Sequence, residues 1–360
     1  MRPSGEVMSI STPGGGGLVS RAWLRRLPKA ELHLHLEGTV SPETLVELSR
    51  RSSFAGYSLS VQEAEALYQY TNFSGFMLAF KAVTARLQTA EDYELITYRM
   101  MAQLAAQGVV HAEVYVSVGV VYYWRKAELE ADPLVFDRIF RGMEAGRVRG
   151  ERDFGVSVCW IFDAVRHFGP EEAARVFRKA AEMRSEFPSI IGIGIGGDER
   201  RTGAEPFRDL YAEARDAGLR LTAHAGETIG PESIWAALNI GAERIGHGLT
   251  AIEDPELIEV LAERQIPIEI CISSNLRTGC CASLGMHPVR SYFDAGLMIT
   301  LNSDDPAMFE SDLEGEYLLA QREFDFSPEH LRELAANSFE ASFLPAEEKV
   351  KYLHRLDALP

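Results

Sequence analysis

Three things are scarce in this chain of 360 residues, and each scarcity excludes something. No apolar run reaches the roughly 18 residues of a membrane-spanning helix, and the N-terminus lacks the apolar centre of a secretory signal. A cytoplasmic protein with no membrane partner is therefore expected. Cysteine is sparse: Cys159, Cys271, Cys280 and Cys281 do not make the paired spacings of a zinc ribbon or a disulfide framework, so reduced thiols are expected. Positive charge is also scarce, with 36 Lys and Arg against 53 Asp and Glu and a net charge of −17. Such a surface repels a polyanion, which argues against a nucleic acid polymer as partner.

What remains is the composition of a globular protein, 46% hydrophobic and 25% charged. The length suits one large domain or two ordinary ones. Residues 1–20, with "TPGGGGLVS", bury little and are expected to be a mobile tail. From "LPKAELHLHL" onward no linker-like shift and no short repeat interrupts the chain, so residues 21–360 read as a single domain. The sequence leaves a homo-oligomer open.

Short apolar or alternating runs recur at 31–36, 109–116, 155–162, 190–196, 219–225, 244–248, 266–271 and 297–302. Between them lie stretches such as "AEDYELITYRMMAQLAAQG" and "PEEAARVFRKAAEMRSEF", with apolar residues three and four apart. Strand and helix alternating in this way predict an α/β fold, a parallel (β/α)8 TIM barrel with extra helices inserted after the first strand. In such a barrel the chemistry sits at the C-terminal ends of the strands.

The polar residues can be tested against that expectation. In "ELHLHLEG", His33 and His35 alternate along a strand and so share a face. His224 closes the fifth run in "TAHAGE", His247 lies in "IGHG" at the sixth, and Asp304 and Asp305 follow the eighth in "LNSDDP". Buried together on one rim, these groups would carry a large desolvation cost unless a cation or a substrate satisfied them. Imidazoles with a carboxylate suit zinc better than calcium or magnesium, which prefer oxygen-rich cages. Glu227, three residues after His224, can reach the site as a general acid if burial keeps it protonated.

"ELHLHLEG", "GGDE", "HAGE", "RIGHG", "SSN" and "LNSDDP" resemble, in order and spacing, the adenosine deaminase family of the amidohydrolase superfamily, from about residue 27 to 345. The resemblance implies a distorted (β/α)8 barrel and one Zn2+ per subunit held by His33, His35, His224 and Asp304. It implies that Glu227 protonates the purine at N1 and that His247 orients and helps deprotonate the attacking water. Asp305 would hydrogen-bond the purine and hold the attacking hydroxide, and the backbone N–H of Gly197 would contact N3. The segment "NFSGFMLAFKAV" (72–83), with Phe73, Phe76, Met77 and Phe80, resembles the family's apolar lid. A fourth-strand end without lysine favours one metal over two. The expected activity is hydrolytic removal of the 6-amino group of a purine nucleoside or base.

Three departures bear on the substrate. Glu37 stands where adenosine-specific members carry an aspartate toward the ribose 5′ end. Arg277, in "SNLRTG", is expected near the mouth, where it would suit an anionic 5′ extension. That motif resembles the 6-aminodeoxyfutalosine deaminases of menaquinone biosynthesis, whose substrate carries a carboxyphenyl group there. Gly194 replaces the family's aspartate before "GGDE" and is expected to open room beneath the base. Because adenine deaminases also carry a glutamate in the first motif, adenine in purine salvage is the alternative. A reading from another class is a metal-stabilised nucleoside-binding protein without catalysis. Gly192, Gly194 and Gly197 match a dinucleotide fingerprint only weakly, since no clean helix start follows.

Overall fold

The structure is a computed structural model and describes residues 18–51 and 58–358. The first seventeen residues, most of the expected tail, lie outside the described residues. The described part of residues 1–20 is anchored: Val19 N–H donates to Gln321 Oε1 at 2.9 Å, and Ser20 caps the helix Arg21–Arg26.

Eight parallel strands follow one another around a nearly closed barrel: β1 (Lys29–His35), β2 (Val109–Val116), β3 (Ser157–Val165), β4 (Ile190–Gly196), β5 (Arg220–Ala225), β6 (Arg244–His247), β7 (Ile268–Ile270) and β8 (Ile299–Leu301). All eight runs expected from the sequence are strands. Those at 109–116 and 190–196 match to the residue, whereas β7 and β8 are trimmed to three residues each.

The seam between β8 and β1 is closed by other means than a full ladder. His35 N–H donates to the Asp304 carbonyl at 2.9 Å and Asp304 N–H to the His33 carbonyl at 3.0 Å. The Asn302 side chain accepts from the N–H groups of Leu32 and His33 at 2.9 and 3.1 Å. Closure thus uses backbone and side-chain groups that a broken ladder would leave unsatisfied.

The expected insertion lies between β1 and β2. Its helices are Pro42–Arg51, Val61–Leu67, Phe73–Thr84 and Ala90–Ala106. Ser60 with Glu63 and Thr89 with Asp92 form capping boxes, and Asn72 accepts from Gly75 N–H to start the helix at Phe73. That last start aims Phe73 and Phe76 at the mouth of the barrel. No helix among the described residues is long and apolar enough to cross a membrane. The four cysteines are free thiols.

Inside the barrel an ionic cluster replaces part of the apolar filling. The Arg244 guanidinium, 1% exposed, donates through Nε to Glu269 Oε1 at 2.6 Å and through Nη1 to Glu113. A buried guanidinium is tolerable only with such partners. The consequence is a Glu269 carboxylate held in one orientation directly beneath the strand ends.

Candidate active site

At the C-terminal rim the residues singled out from sequence converge. His35 Nε2 lies 3.1 Å from His224 Nε2 and 3.4 Å from Asp304 Oδ1, and His33 Nε2 lies 3.6 Å from the same oxygen. Ligands about 2.0–2.1 Å from a tetrahedral zinc would stand about 3.3 Å apart, so the spacing fits that ion. His33 Nε2 is buried and makes no hydrogen bond, as expected of an atom reserved for a ligand. Its other nitrogen, Nδ1, is paired with Glu269 Oε2 at 2.6 Å, with Tyr115 OH donating to the same oxygen at 3.1 Å. Ser274 Oγ donates to Asp304 Oδ2 at 2.6 Å. Outer partners of this kind fix ring orientation and tautomer.

The backbone is strained at this rim. His247 and Asp304 both adopt positive φ, 65° and 64°, outside the usual range of residues with side chains. Gly38 is the counterpart: a Cβ there would strike Asp305, so the glycine of "HLEG" lets Asp305 reach the site.

Burial governs the protonation of these groups. It drives the Glu227 carboxyl up to about 8, with Asp304 and Glu199 adding to the shift. Asp305 is raised well above the ordinary carboxylate range by burial and by Asp304. His247 is pushed down to about 4, mainly by burial. These shifts favour the protonated carboxyl of Glu227 and the neutral ring of His247 at neutral pH.

A cavity of about 380 Å³ leads from these groups to solvent. Its walls include Glu227, His247, Asp305, Gly197, Phe73, Phe76 and Met77, all of them anticipated, and Phe80 as well. Phe76 packs on Phe309 at 5.0 Å between ring centroids, which ties the insertion to the end of β8. Gly197 has φ 90°, a conformation that turns the chain out of β4.

Three specificity expectations meet a different geometry. Glu37 is absent from the cavity wall: it is completely buried, and its Oε1 accepts from Ser117 N–H at 3.1 Å behind the surface. Arg277 is absent too. Its guanidinium lies 3.7 Å from Glu310 and donates to the Tyr68 carbonyl at 3.3 Å, partners that are themselves outside the cavity wall. Gly194 opens no room. A Cβ there would lie 2.9 Å from Thr222 Oγ1 and 3.0 Å from Asp163 Oδ1, so the Asp163 carboxyl on β3 occupies the space.

Other residues were not anticipated. Glu199 accepts from the N–H groups of Gly226, Glu227 and Thr228 at 2.9–3.0 Å and so holds the "HAGE" turn. Its place in "GGDE" was the available signal. Lys81, Trp124, His167, Phe168 and Arg201 line the outer cavity. Lys81 stands over the Trp124 ring at 4.4 Å, and Phe168 stacks on Tyr123 at 3.9 Å. Lys81 lies within the segment 72–83, whereas no motif marks Trp124, His167, Phe168 and Arg201.

A nearly closed parallel barrel with histidines and carboxylates gathered at its C-terminal rim defines a barrel hydrolase with a candidate metal centre. A model of the adenosine deaminase family matches residues 28–359. The chain belongs to the adenosine deaminase family, and it is a hydrolytic C–N deaminase. It is 36% identical over 337 residues to an aminodeoxyfutalosine deaminase of Streptomyces avermitilis, covering 93% of this chain and 92% of that one. It is 34% identical over 339 residues to an adenine deaminase of Trichlorobacter lovleyi, covering 93% of each. Among solved structures, adenine deaminase from Arthrobacter aurescens superposes with a TM-score of 0.83 at 32% identity, over 92% of this chain and 98% of that one. An amidohydrolase from Burkhoderia ambifaria with bound Zn gives 0.82 at 26% identity, over 96% and 95%.

Proposed function

We propose that this protein removes the 6-amino group of an extended adenine nucleoside, 6-aminodeoxyfutalosine, in a zinc-dependent hydrolysis that releases ammonia. The observation that carries the chemistry is the convergence of His33, His35, His224 and Asp304 beside a protonated Glu227. Those four residues would hold the ion. Bound there, zinc supplies a Lewis acid that brings the pKa of water near neutrality.

The remaining roles belong to side chains on the cavity wall. Glu227 gives its proton to the ring nitrogen N1, which makes C6 electrophilic. His247 orients the attacking water, Asp305 hydrogen-bonds at the reacting edge, and Gly197 offers a backbone N–H to the ring. Phe73, Phe76 and Met77 cover the base and exclude water.

The extended nucleoside is favoured by the outer cavity. Beyond the base, Lys81, Trp124, Phe168 and Arg201 offer aromatic faces and two cations, suited to an aromatic carboxylate. Lys81 and Arg201 thus take the part expected of Arg277. Adenine is the second reading, supported by the similarity to adenine deaminases. The cellular setting is a cytoplasmic step of menaquinone biosynthesis under the first reading and purine salvage under the second.

Ammonia release from 6-aminodeoxyfutalosine, adenosine and adenine at matched low concentrations tests the assignment. A kcat/KM at least 100-fold higher for the extended nucleoside is expected. Preference for adenine would transfer the protein to the second reading. A Glu227→Gln variant with intact fold, bound metal and full turnover would refute the catalytic roles.

A further inference from the structure

Behind His247 runs a chain of polar contacts whose direction is set by a backbone group. Val289 N–H lies 3.2 Å from His287 Nδ1. A backbone N–H can only donate, so Nδ1 accepts and a neutral His287 carries its proton on Nε2. Burial keeps that ring neutral, its pKa pushed down to about 4. His287 Nε2 lies 3.2 Å from Asn275 Oδ1, which therefore accepts. The same amide then turns its NH2 toward His247 Nδ1, also at 3.2 Å.

Asn275 cannot escape this orientation easily. Its side chain is wholly buried, its N–H donates to the Cys271 carbonyl at 3.0 Å, and its carbonyl accepts from Cys281 N–H at 2.8 Å. Flipping the amide would place NH2 against the His287 N–H, donor against donor, in a site without solvent.

A second observation points the same way. On the far side of the ring, His247 Nε2 faces Glu227 Oε2 at 3.8 Å and Asp304 Oδ2 at 4.0 Å. The Asp304 carboxylate favours a ring N–H there and opposes a lone pair. The signals from behind and in front of the imidazole agree.

We propose that Asn275 and His287 are positioning residues that hold His247 as its Nε2–H tautomer, so that His247 meets the attacking oxygen as a hydrogen-bond donor. This deepens the deaminase reading, and its catalytic half rests on that reading. It also replaces the base-like role implied by family resemblance: a neutral imidazole with its proton on Nε2 has no lone pair to offer the cavity. The positively polarised N–H instead faces the place where negative charge develops on oxygen. Asn275 is quoted in the "SSN" motif and His287 lies in no motif, so only the fold reveals the pair.

The test joins a spectroscopic readout to kinetics. Histidine 15N NMR of the metal-free and the zinc-loaded protein is expected to show His247 protonated on Nε2 and His287 likewise. Asn275→Asp offers an acceptor to both rings and is expected to move the His247 proton to Nδ1. That variant should lose about 100-fold in kcat toward 6-aminodeoxyfutalosine, as for removal of one donor to a developing oxyanion, with KM and zinc content unchanged. His287→Ala frees the amide and should give a mixture of tautomers with an intermediate loss.

A wild-type His247 protonated on Nδ1 would overturn the proposal. So would a tautomer unmoved in both variants, or an Asn275→Asp protein with the shifted tautomer and undiminished kcat. If none of the aminopurines is turned over, the deaminase reading fails, while the spectra still decide whether the relay sets the ring.

Discussion

The floor and the rim of the same cavity are built on opposite plans. On the floor, His33, His224, His247, Asp304 and Asp305 are buried, and the groups behind them are buried as well: Glu269, Asn275 and Ser274. At the rim, Lys81 and Arg201 are exposed and Trp124 is 55% exposed. A floor made of hydrogen-bonded residues on strand ends can hold reacting groups to fractions of an ångström, which the chemistry requires. A rim of long side chains on loops and helices can change its ligand without disturbing that floor. Deamination on the floor and choice of substrate at the rim should therefore be separable.

The largest expected effects strike the floor. Glu227→Gln should lower kcat about 100- to 10,000-fold with metal content unchanged, because it removes the acid and leaves the ligands. Comparison of kcat with zinc content, measured by atomic absorption, checks it. A loss of metal in parallel would mean that Glu227 belongs to the ion's coordination instead.

Next comes the layer beneath. Glu269→Gln should weaken zinc binding about 10- to 100-fold in a chelator competition, since His33 loses the charged acceptor that fixes its ring and raises its basicity. It should also lower the melting temperature, because Arg244 keeps only Glu113 as a charged partner. Unchanged zinc affinity with lowered stability would reduce Glu269 to an internal ion-pair partner.

At the rim the effects should be smaller and selective. Lys81→Ala combined with Arg201→Ala should cost about tenfold in kcat/KM toward 6-aminodeoxyfutalosine and leave adenine unaffected. Arg277→Ala should change neither, because that guanidinium faces Glu310. Equal losses on both substrates would erase the division between floor and rim.

The smallest effect concerns pH. Burial raises Glu31, Glu37 and Glu316 to about 7 and Glu227 to about 8. Between pH 6.5 and 8 the unfolded chain has already released these protons, whereas the folded metal-free protein is still releasing them. The folded state binds more protons, so stability falls as pH rises through this window. His33, raised to about 10 by its carboxylate partners against the opposing effect of burial, acts in the same direction there. The histidines with lowered pKa, His35 and His247, contribute below pH 6.5 and not above it. Thermal melts of the metal-free protein should drop across the window, and a flat profile would contradict the protonation states assigned here.

Much of this was legible in the order of residues. Strand periodicity located all eight strands because parallel barrel strands are short, apolar and separated by long helices, a pattern that local sequence carries by itself. The floor residues sit in motifs at strand ends, and a barrel brings strand ends together wherever the loops go. The rim was not legible. Arg277 lies next to the "SSN" motif yet is absent from the cavity wall, whereas Lys81, Trp124, Phe168 and Arg201 come from four unconnected segments and meet only in space.

Glu37 and Gly194 show the same limit at shorter range. Each was assigned to the cavity from its place in a motif, and each is packed behind it, against Ser117 and Asp163 from neighbouring strands or their ends. By itself the sequence determined the barrel, the cluster of imidazoles and carboxylates, and the family. Which side chains line the cavity, and which groups surround the His247 ring, were decided by tertiary structure, because those properties depend on neighbours far apart along the chain.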